Sequence, residues 1–205
     1  MPSVYDLKSR FQGLLRPLMK LLVKLGVTPN GLTLAALVGS AAVGVAVLTA
    51  FEEPRWLLLL PVWLFLRMAL NALDGMMARE CAMATPLGAV LNELGDVLSD
   101  LALYLPLCAA APRAAIFILA FSILAALTEF CGVLAQALRG VRRYDGPMGK
   151  SDRAFIVGLA ALVAALVPAT LAYWPWIFFA ASLLEVWTCG SRLRGALAPR
   201  GEAVP

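Results

Sequence analysis

The sequence contains no histidine and only a small share of charged residues. Of its 205 residues, 15% are charged and 61% are hydrophobic. Without histidine, the chain lacks the usual general base and the commonest transition-metal ligand. Any proton transfer or metal binding therefore has to depend on carboxylates and amides.

Cysteine is also scarce, and its placement does not form a framework. The four cysteines contain no C-x-x-C pair and lie mostly in apolar segments. This pattern predicts neither a disulfide scaffold nor a zinc site. The first apolar stretch carries interspersed charges and no small-residue cleavage site, so we expect no cleaved signal peptide.

Apolar residues are what the sequence has in abundance. A soluble domain of this length cannot bury such a large apolar fraction, because too much of its surface faces water. Each apolar run is close to the roughly 20 residues that a membrane span needs. The runs cover residues 31–51, 55–78, 87–110, 114–138, 153–173 and 174–191. We predict an all-α integral membrane protein with six transmembrane helices.

A different pattern precedes the first run. Residues 4–25 place leucines at helical spacing with basic residues between them, which predicts an amphipathic juxtamembrane helix on an anionic leaflet. Pro29, directly after Thr28, is well placed to open the first span. The predicted organisation is an N-terminal interfacial amphipathic helix (1–27), a six-helix membrane domain (28–195) and a cytoplasmic tail (196–205).

The basic residues are distributed unequally between the two sides of these spans. Six spans put both termini on one side, together with 14 of the 17 lysines and arginines. Only Arg55 and Arg113 fall on the opposite side. The positive-inside rule therefore predicts cytoplasmic termini in a multi-pass protein of the cytoplasmic membrane. The excess of cations is explained by this orientation, so we expect no nucleic-acid partner.

Polar side chains interrupt the second and third spans at helical spacing, so each span carries one polar stripe. The stripes consist of Arg67, Asn71 and Asp74 in the second span, and Asn92, Asp96 and Asp100 in the third. A rise of about 1.5 Å per residue places the members of the two stripes at matching depths. Ionisable residues inside a membrane are costly and usually functional or paired.

The two stripes predict two different roles. A single buried amide or carboxylate is most simply a hydrogen-bonding group between spans. Four such groups on two adjacent spans, opening toward the cytosol, instead favour an oxygen-lined pocket for a hard cation such as Mg²⁺. These four are Asn71, Asp74, Asn92 and Asp96. The deeper Arg67 and Asp100 are predicted to neutralise each other as a structural ion pair, with Glu129 as a competing partner for Arg67.

The stretch from Asn71 to Asp96 carries a resemblance to a known family. It follows the spacing D-x2-D-G-x2-A-R-x8-G-x3-D-x3-D, with Asn71 and Asn92 in place of two aspartates. This spacing resembles the signature of the CDP-alcohol phosphatidyltransferase family, whose P-N-x-L-T motif before the first span is similar to residues 29–33. The likeness covers residues 4–195 and is greatest to a bacterial branch with the same asparagines, which implies the inner membrane.

The resemblance implies a reaction and a metal site. The family transfers a phosphatidyl or similar group from a CDP-linked donor, here expected to be CDP-diacylglycerol, to an alcohol, and releases CMP in phospholipid biosynthesis. The resemblance implies Asn71, Asp74, Asn92 and Asp96 as ligands of Mg²⁺ or Mn²⁺, with Asp96 also the catalytic base. The two asparagines remove negative charge, so the number of bound ions, one or two, stays open. It also stays open whether Glu93 or Asp100 compensates for the missing charge.

The resemblance also implies binding residues and an assembly. The expected nucleotide-binding residues are Asn30, Gly75, Ala78, Arg79 and Gly88. Lys150 and Arg153 are similar to family positions that line the acceptor pocket, and they would suit an anionic acceptor such as a glycerol phosphate. The family further implies a homodimer.

Two alternatives to the transferase stay open. One is a catalytically impaired relative that binds a CDP-lipid without turning it over, because two signature aspartates are replaced. The other is a small membrane transporter that uses the same polar cavity. The transporter is disfavoured because Leu103, Pro106 and Leu107 continue the stripe of the third span with apolar groups and leave no polar exit.

Overall fold

The structure, a computed structural model, describes residues 4–50 and 52–198, with side chains from residue 11 onward. Within these ranges every regular element is helical, as the sequence predicts. The helices are α1 (Val4–Lys24), α2 (Pro29–Thr49), α3 (Leu59–Glu80), α4 (Pro86–Tyr104), α5 (Leu107–Ala110), α6 (Ala115–Arg139), α7 (Lys150–Leu166) and α8 (Trp174–Leu197). Short 3₁₀ turns cover Pro54–Leu58, Pro112–Ala114 and Pro168–Tyr173. The predicted segments 1–27 and 196–205 extend beyond the described residues.

Four helical segments within the described residues are long and apolar enough to cross a membrane. They are Pro29–Thr49, Pro54–Glu80, Pro112–Arg139 and Pro168–Leu197. Helices α4 and α7 occupy the other two predicted positions, but α4 carries three carboxylates and α7 has only 17 residues. The count of six spans therefore stays a prediction.

The ends of α2 and α7 follow from local hydrogen bonding. Thr28 caps α2 by accepting the backbone N–H of Gly31 at 3.1 Å, and Pro29 stands at the first helical position, as predicted. Helix α7 begins at Lys150, three residues earlier than the predicted run at 153. Its start is fixed by Asp152, whose carboxylate accepts the backbone N–H of Gly149 at 2.9 Å.

Two predicted runs are shorter as α-helices than the hydropathy indicates, and proline explains both. The third run was predicted through residue 110, but α4 ends at Tyr104 and Pro106 separates it from α5, because proline lacks the N–H that would continue the helix. The fifth run was predicted through residue 173, but α7 ends at Leu166, just before Pro168.

Helix α1 holds the end of α3 that carries the signature sequence. Met19 of α1 is buried in a cluster with Met76 and Met77 of α3. The same two helices are joined by an exposed ion pair, in which Arg16 and Glu80 are 3.2 Å apart. The amphipathic helix is therefore docked against the protein, and its contact with lipid stays a prediction.

The remaining helices pack in a way that places the two polar stripes near each other. Helix α2 contacts both α3 and α4, α7 contacts α3, and α6 contacts α4 and α8. A separate apolar core fills the far half, where Tyr104, Phe121, Phe178 and Trp174 form a chain of aromatic contacts with centroids 5.2–5.6 Å apart. The polar residues thus occupy one end of the bundle.

Candidate active site

Asp74 is the first carboxylate of the site, and it is held by a residue of another helix. It lies on α3 with 5% of its surface exposed. The hydroxyl of Thr33, on α2, donates to its Oδ2 at 2.9 Å. Because a buried carboxylate needs hydrogen-bond donors, Thr33 fixes its position. Sequence reasoning placed Thr33 only in the P-N-G-L-T motif and missed this role.

Asp96 is the second carboxylate, and three positively polarised groups surround it. Its Oδ1 accepts from the amide of Asn71 at 3.2 Å and lies 3.6 Å from the guanidinium of Arg67. Its Oδ2 forms an ion pair with Lys150, the first residue of α7. The side chain of Asp96 keeps 15% exposure, so it is fixed in place yet still accessible.

The predicted metal ligands contribute two carboxylates and two amides. Asn71 and Asp96 are brought together directly, Asp74 lies one turn further along α3, and Asn92 lies one turn before Asp96 on α4. Asn92 is half-buried, and its side chain makes no hydrogen bond to any described residue. Hard oxygen donors with two negative charges fit one divalent ion of the Mg²⁺ type. Across residues 4–50 and 52–198, no three Asp, Glu, Cys or His side chains form a group that could hold a metal ion.

Arg67 and Asp100 lie one helical turn deeper than Asn71 and Asp96, and they form a direct ion pair of 2.5 Å. A second arginine, Arg153 of α7, joins them by donating to Asp100 at 3.0 Å. Arg153 also donates to Glu129 at 2.8 Å and to Thr128 at 2.7 Å, both on α6. The side chain of Arg153 has no exposed surface. The structure therefore places Arg153 inside the protein and not at the wall of an acceptor pocket.

The ion pairs extend toward the loop before α7. Glu129 lies 2.6 Å from Arg142 and 3.7 Å from Arg192, and Arg142 also pairs with Glu93. Glu129 is therefore a partner of three other arginines and not of Arg67. Burial lowers the pKa of the Arg142 guanidinium, which nevertheless stays charged at neutral pH.

These ion pairs form one assembly, which we call the buried charge network. It joins the cations Arg67, Arg142, Lys150, Arg153 and Arg192 to the carboxylates Glu93, Asp96, Asp100 and Glu129. Two of these carboxylates, Glu93 and Asp100, were candidates to replace the missing signature charges. Both are bound to arginines, so neither faces the other predicted ligands as a free group.

Four of the five predicted nucleotide-binding residues form two contacting pairs at the same end of the bundle. A Cβ atom added to Gly88 would lie 2.7 Å from Oδ1 of Asn30, so the amide of α2 packs directly on the first turn of α4. A Cβ atom added to Gly75 would lie 3.2 Å from the guanidinium of Arg79, which folds back along α3. Ala78 is half-buried one turn beyond Asp74.

Comparison with known proteins supports the resemblance seen in the sequence. A family model described as CDP-alcohol phosphatidyltransferase matches residues 26–188. The inner membrane protein YnbA of Escherichia coli (strain K12) is 49% identical over 195 residues, which cover 95% of this chain and 96% of that protein.

Two solved structures with a similar fold are those of phosphatidylinositol phosphate synthase (PgsA1) of Mycobacterium tuberculosis. Its structure with CDP-DAG bound has a TM-score of 0.73 and 23% identity, covering 90% of this chain and 94% of that one. Its complex with manganese and citrate has a TM-score of 0.72 and 25% identity, covering 90% of each chain.

Proposed function

The chain belongs to the CDP-alcohol phosphatidyltransferase family and is a transferase, and we propose that it moves a phosphatidyl group from CDP-diacylglycerol to an alcohol. The observation that carries this proposal is the arrangement of Asp96. Its carboxylate is fixed by Asn71, Arg67 and Lys150 and is still partly exposed. A fixed, accessible carboxylate is what abstraction of a proton from an acceptor hydroxyl requires.

The reaction is a displacement at phosphorus. The acceptor hydroxyl oxygen attacks the phosphorus that bears the diacylglycerol, and the bond from that phosphorus to the CMP oxygen breaks. The hydroxyl proton passes to Asp96, and CMP leaves with the bonding electrons. Such transfers depend chiefly on positioning and on neutralising the phosphate oxygens. The bound CDP-DAG in the M. tuberculosis structure supports a CDP-lipid as donor.

The family depends on a divalent metal, and a similar structure contains manganese. We propose Asn71, Asp74, Asn92 and Asp96 as the ligands of Mg²⁺ or Mn²⁺. When bound, such an ion supplies positive charge to the diphosphate of the donor. Thr33 orients Asp74 before substrate binds, which is the role that a donor behind a metal ligand usually has. Asn71, itself a proposed ligand, orients Asp96 through its amide N–H.

The nucleotide and the acceptor are assigned to different sides of Asp96. We propose that the nucleotide binds at Asn30, Gly88, Gly75, Ala78 and Arg79. A Cβ atom at Gly88 would meet the Asn30 amide at 2.7 Å, and one at Gly75 would meet the end of the Arg79 side chain at 3.2 Å. Lys150 is the exposed cation beside Asp96, so it is the residue we assign to an anionic acceptor.

We propose that the protein has six spans and that both termini are cytoplasmic. The similar E. coli protein is an inner membrane protein, and we infer the same location here. Lys150, Arg142 and Arg79 lie at the end of the bundle where α1 docks, which supports cytoplasmic access for a nucleotide. The boundaries at residues 27 and 195 and the homodimer stay predictions.

Release of CMP tests the proposal directly. Purified protein in lipid nanodiscs is incubated with CDP-diacylglycerol, Mn²⁺ and a panel of alcohols that includes glycerol phosphate, inositol phosphate and neutral polyols. We expect CMP release with at least one alcohol, and a loss of about 100-fold or more in Asp96→Asn. Glu53→Gln, which alters an exposed carboxylate on the opposite side, serves as the matched control and keeps full activity.

The same assay separates the main alternative. If CDP-diacylglycerol raises the melting temperature but no alcohol yields CMP, the protein is a CDP-lipid-binding relative that lacks turnover. If Asp96→Asn keeps full activity, Asp96 is not the base.

A further inference from the structure

The charge of the predicted ligand set is too small for two divalent ions. Asp74 and Asp96 contribute two negative charges, and the amides of Asn71 and Asn92 contribute none. The number of charged ligands is a main determinant of divalent-ion affinity. A single divalent ion neutralises this set, whereas a second would leave two uncompensated positive charges in a half-buried site.

No other carboxylate supplies the missing charge. Glu93 is paired with Arg142, and Asp100 is paired with Arg67 at 2.5 Å and with Arg153 at 3.0 Å. Moving Glu93 away would leave Arg142 with Glu129 alone, and moving Asp100 away would leave Arg67 with only its 3.6 Å contact to Asp96. Both changes weaken the pairing of a buried guanidinium, which is unfavourable, so we expect the ligand set to keep its deficit of negative charge.

A protein cation already stands at one of the two carboxylates. The ammonium of Lys150 pairs with Oδ2 of Asp96, and the lysine side chain is 29% exposed. Arg67 also approaches Asp96, but it is only 3% exposed and is committed to Asp100. Of the two cations at Asp96, only Lys150 can therefore contact a substrate as well.

We propose that this site holds one divalent ion and that the Lys150 ammonium is its second positive centre. This inference rests on the proposed function, and it adds the donor diphosphate to the anionic acceptor as a group whose charge Lys150 neutralises. The ammonium is a compact charge with three donors. One donor holds Asp96, which leaves two donors of the partly exposed ammonium available to a non-bridging phosphate oxygen.

The ion pair between Lys150 and Asp96 also affects how tightly the metal ion binds. A fixed positive charge beside a ligand of the metal repels the ion. Removing the charge of Lys150 should therefore strengthen metal binding while it weakens turnover. A lysine that does not pair with a ligand of the ion would change neither the metal affinity nor the number of ions.

Binding of Mn²⁺, measured by electron paramagnetic resonance on the purified full chain in nanodiscs without substrate, tests the inference. We expect one Mn²⁺ per chain in the wild type. Lys150→Met should bind that ion about tenfold more tightly and release CMP more slowly. Lys24→Met, on the exposed end of α1, is the matched control and should change neither value.

A combined variant tests the charge argument in the opposite direction. Asn71→Asp with Asn92→Asp and Lys150→Met restores four carboxylates and removes the ammonium, so it should bind two Mn²⁺ per chain. Two ions in the wild type, an unchanged affinity in Lys150→Met, or one ion in the combined variant would each overturn the inference. The wild-type measurement needs no variant to fold, and ion counts do not depend on turnover. Absence of CMP release would therefore count against the proposed function alone.

Discussion

Replacing Arg153 by methionine should destabilise the protein far more than removing any exposed charge. Arg153 is completely buried and donates to Asp100, Glu129 and Thr128 at 2.7–3.0 Å. Methionine retains most of the apolar stem of the side chain but none of its donors. The variant would leave Thr128 without this donor and reduce the positive charge around two buried carboxylates.

The magnitude follows from the partners that lose their cation. Breaking a buried ion pair by removing one member costs about 3–5 kcal/mol, whereas an exposed pair such as Arg16–Glu80 contributes about 0–1 kcal/mol. Asp100 keeps Arg67, and Glu129 keeps Arg142, so we expect a loss near the lower limit, about 3 kcal/mol. For a chain of this length that corresponds to a fall in Tm of about 6–12 °C.

Thermal unfolding in one detergent, followed by intrinsic tryptophan fluorescence, measures this loss. Arg113→Met is the matched control, because Arg113 is exposed in the short turn before α6, and its Tm should stay within about 2 °C of the wild type.

A fall of less than about 2 °C in Arg153→Met would refute the buried role of this arginine. The acceptor-binding role expected from the sequence would then regain support. That role has a different signature, because loss of an acceptor contact raises KM for the alcohol and leaves Tm unchanged. Kinetics and unfolding together therefore distinguish the two assignments of Arg153.

Three further substitutions test single contacts. Thr33→Val removes the hydroxyl that donates to Asp74 at 2.9 Å and should cost about 1.5–3 kcal/mol in thermal unfolding; an unchanged Tm would contradict that contact. Gly88→Ala forces a methyl group to 2.7 Å from the facing amide oxygen and should reduce the stabilisation given by CDP, whereas Gly190→Ala, with open space around it, should not. Glu185→Gln should leave Tm within about 1 °C or raise it, because both carboxylate oxygens are buried without a partner among the described residues; a large fall would show that the charge is paired.

The helical architecture could be predicted because each signal is local in the sequence. Apolar runs separated by charged or proline-containing segments mark the helices, and Thr28 with Pro29 marks the start of α2. What hydropathy could not locate are the ends at Tyr104 and Leu166, since an apolar residue in a 3₁₀ turn and one in an α-helix have the same hydropathy. The positions of Pro106 and Pro168 were the available signals for those breaks.

For the candidate site, the sequence predicts the spacing of residues along one helix, but it does not predict the contacts between helices. Helical spacing predicts that Asn71 and Asp96 lie at one depth, and the structure joins them by a hydrogen bond of 3.2 Å. The contacts of Lys150 with Asp96 and of Arg153 with Glu129 depend on how α7 packs against its neighbours. Residue spacing along one helix carries no information about such packing.

The buried charge network also explains how this bundle fixes the relative positions of its helices. Lipid tails are as apolar as leucine side chains, so membrane helices associate through close packing and interhelical hydrogen bonds more than through the hydrophobic effect. Arg153 links α7 to α4 and α6, and Arg192 links α8 to α6. Changing the register of any of these helices would leave a charge unpaired in the interior. The same network places Lys150 against Asp96, so the contacts that order the helices also set the geometry of the proposed reaction centre.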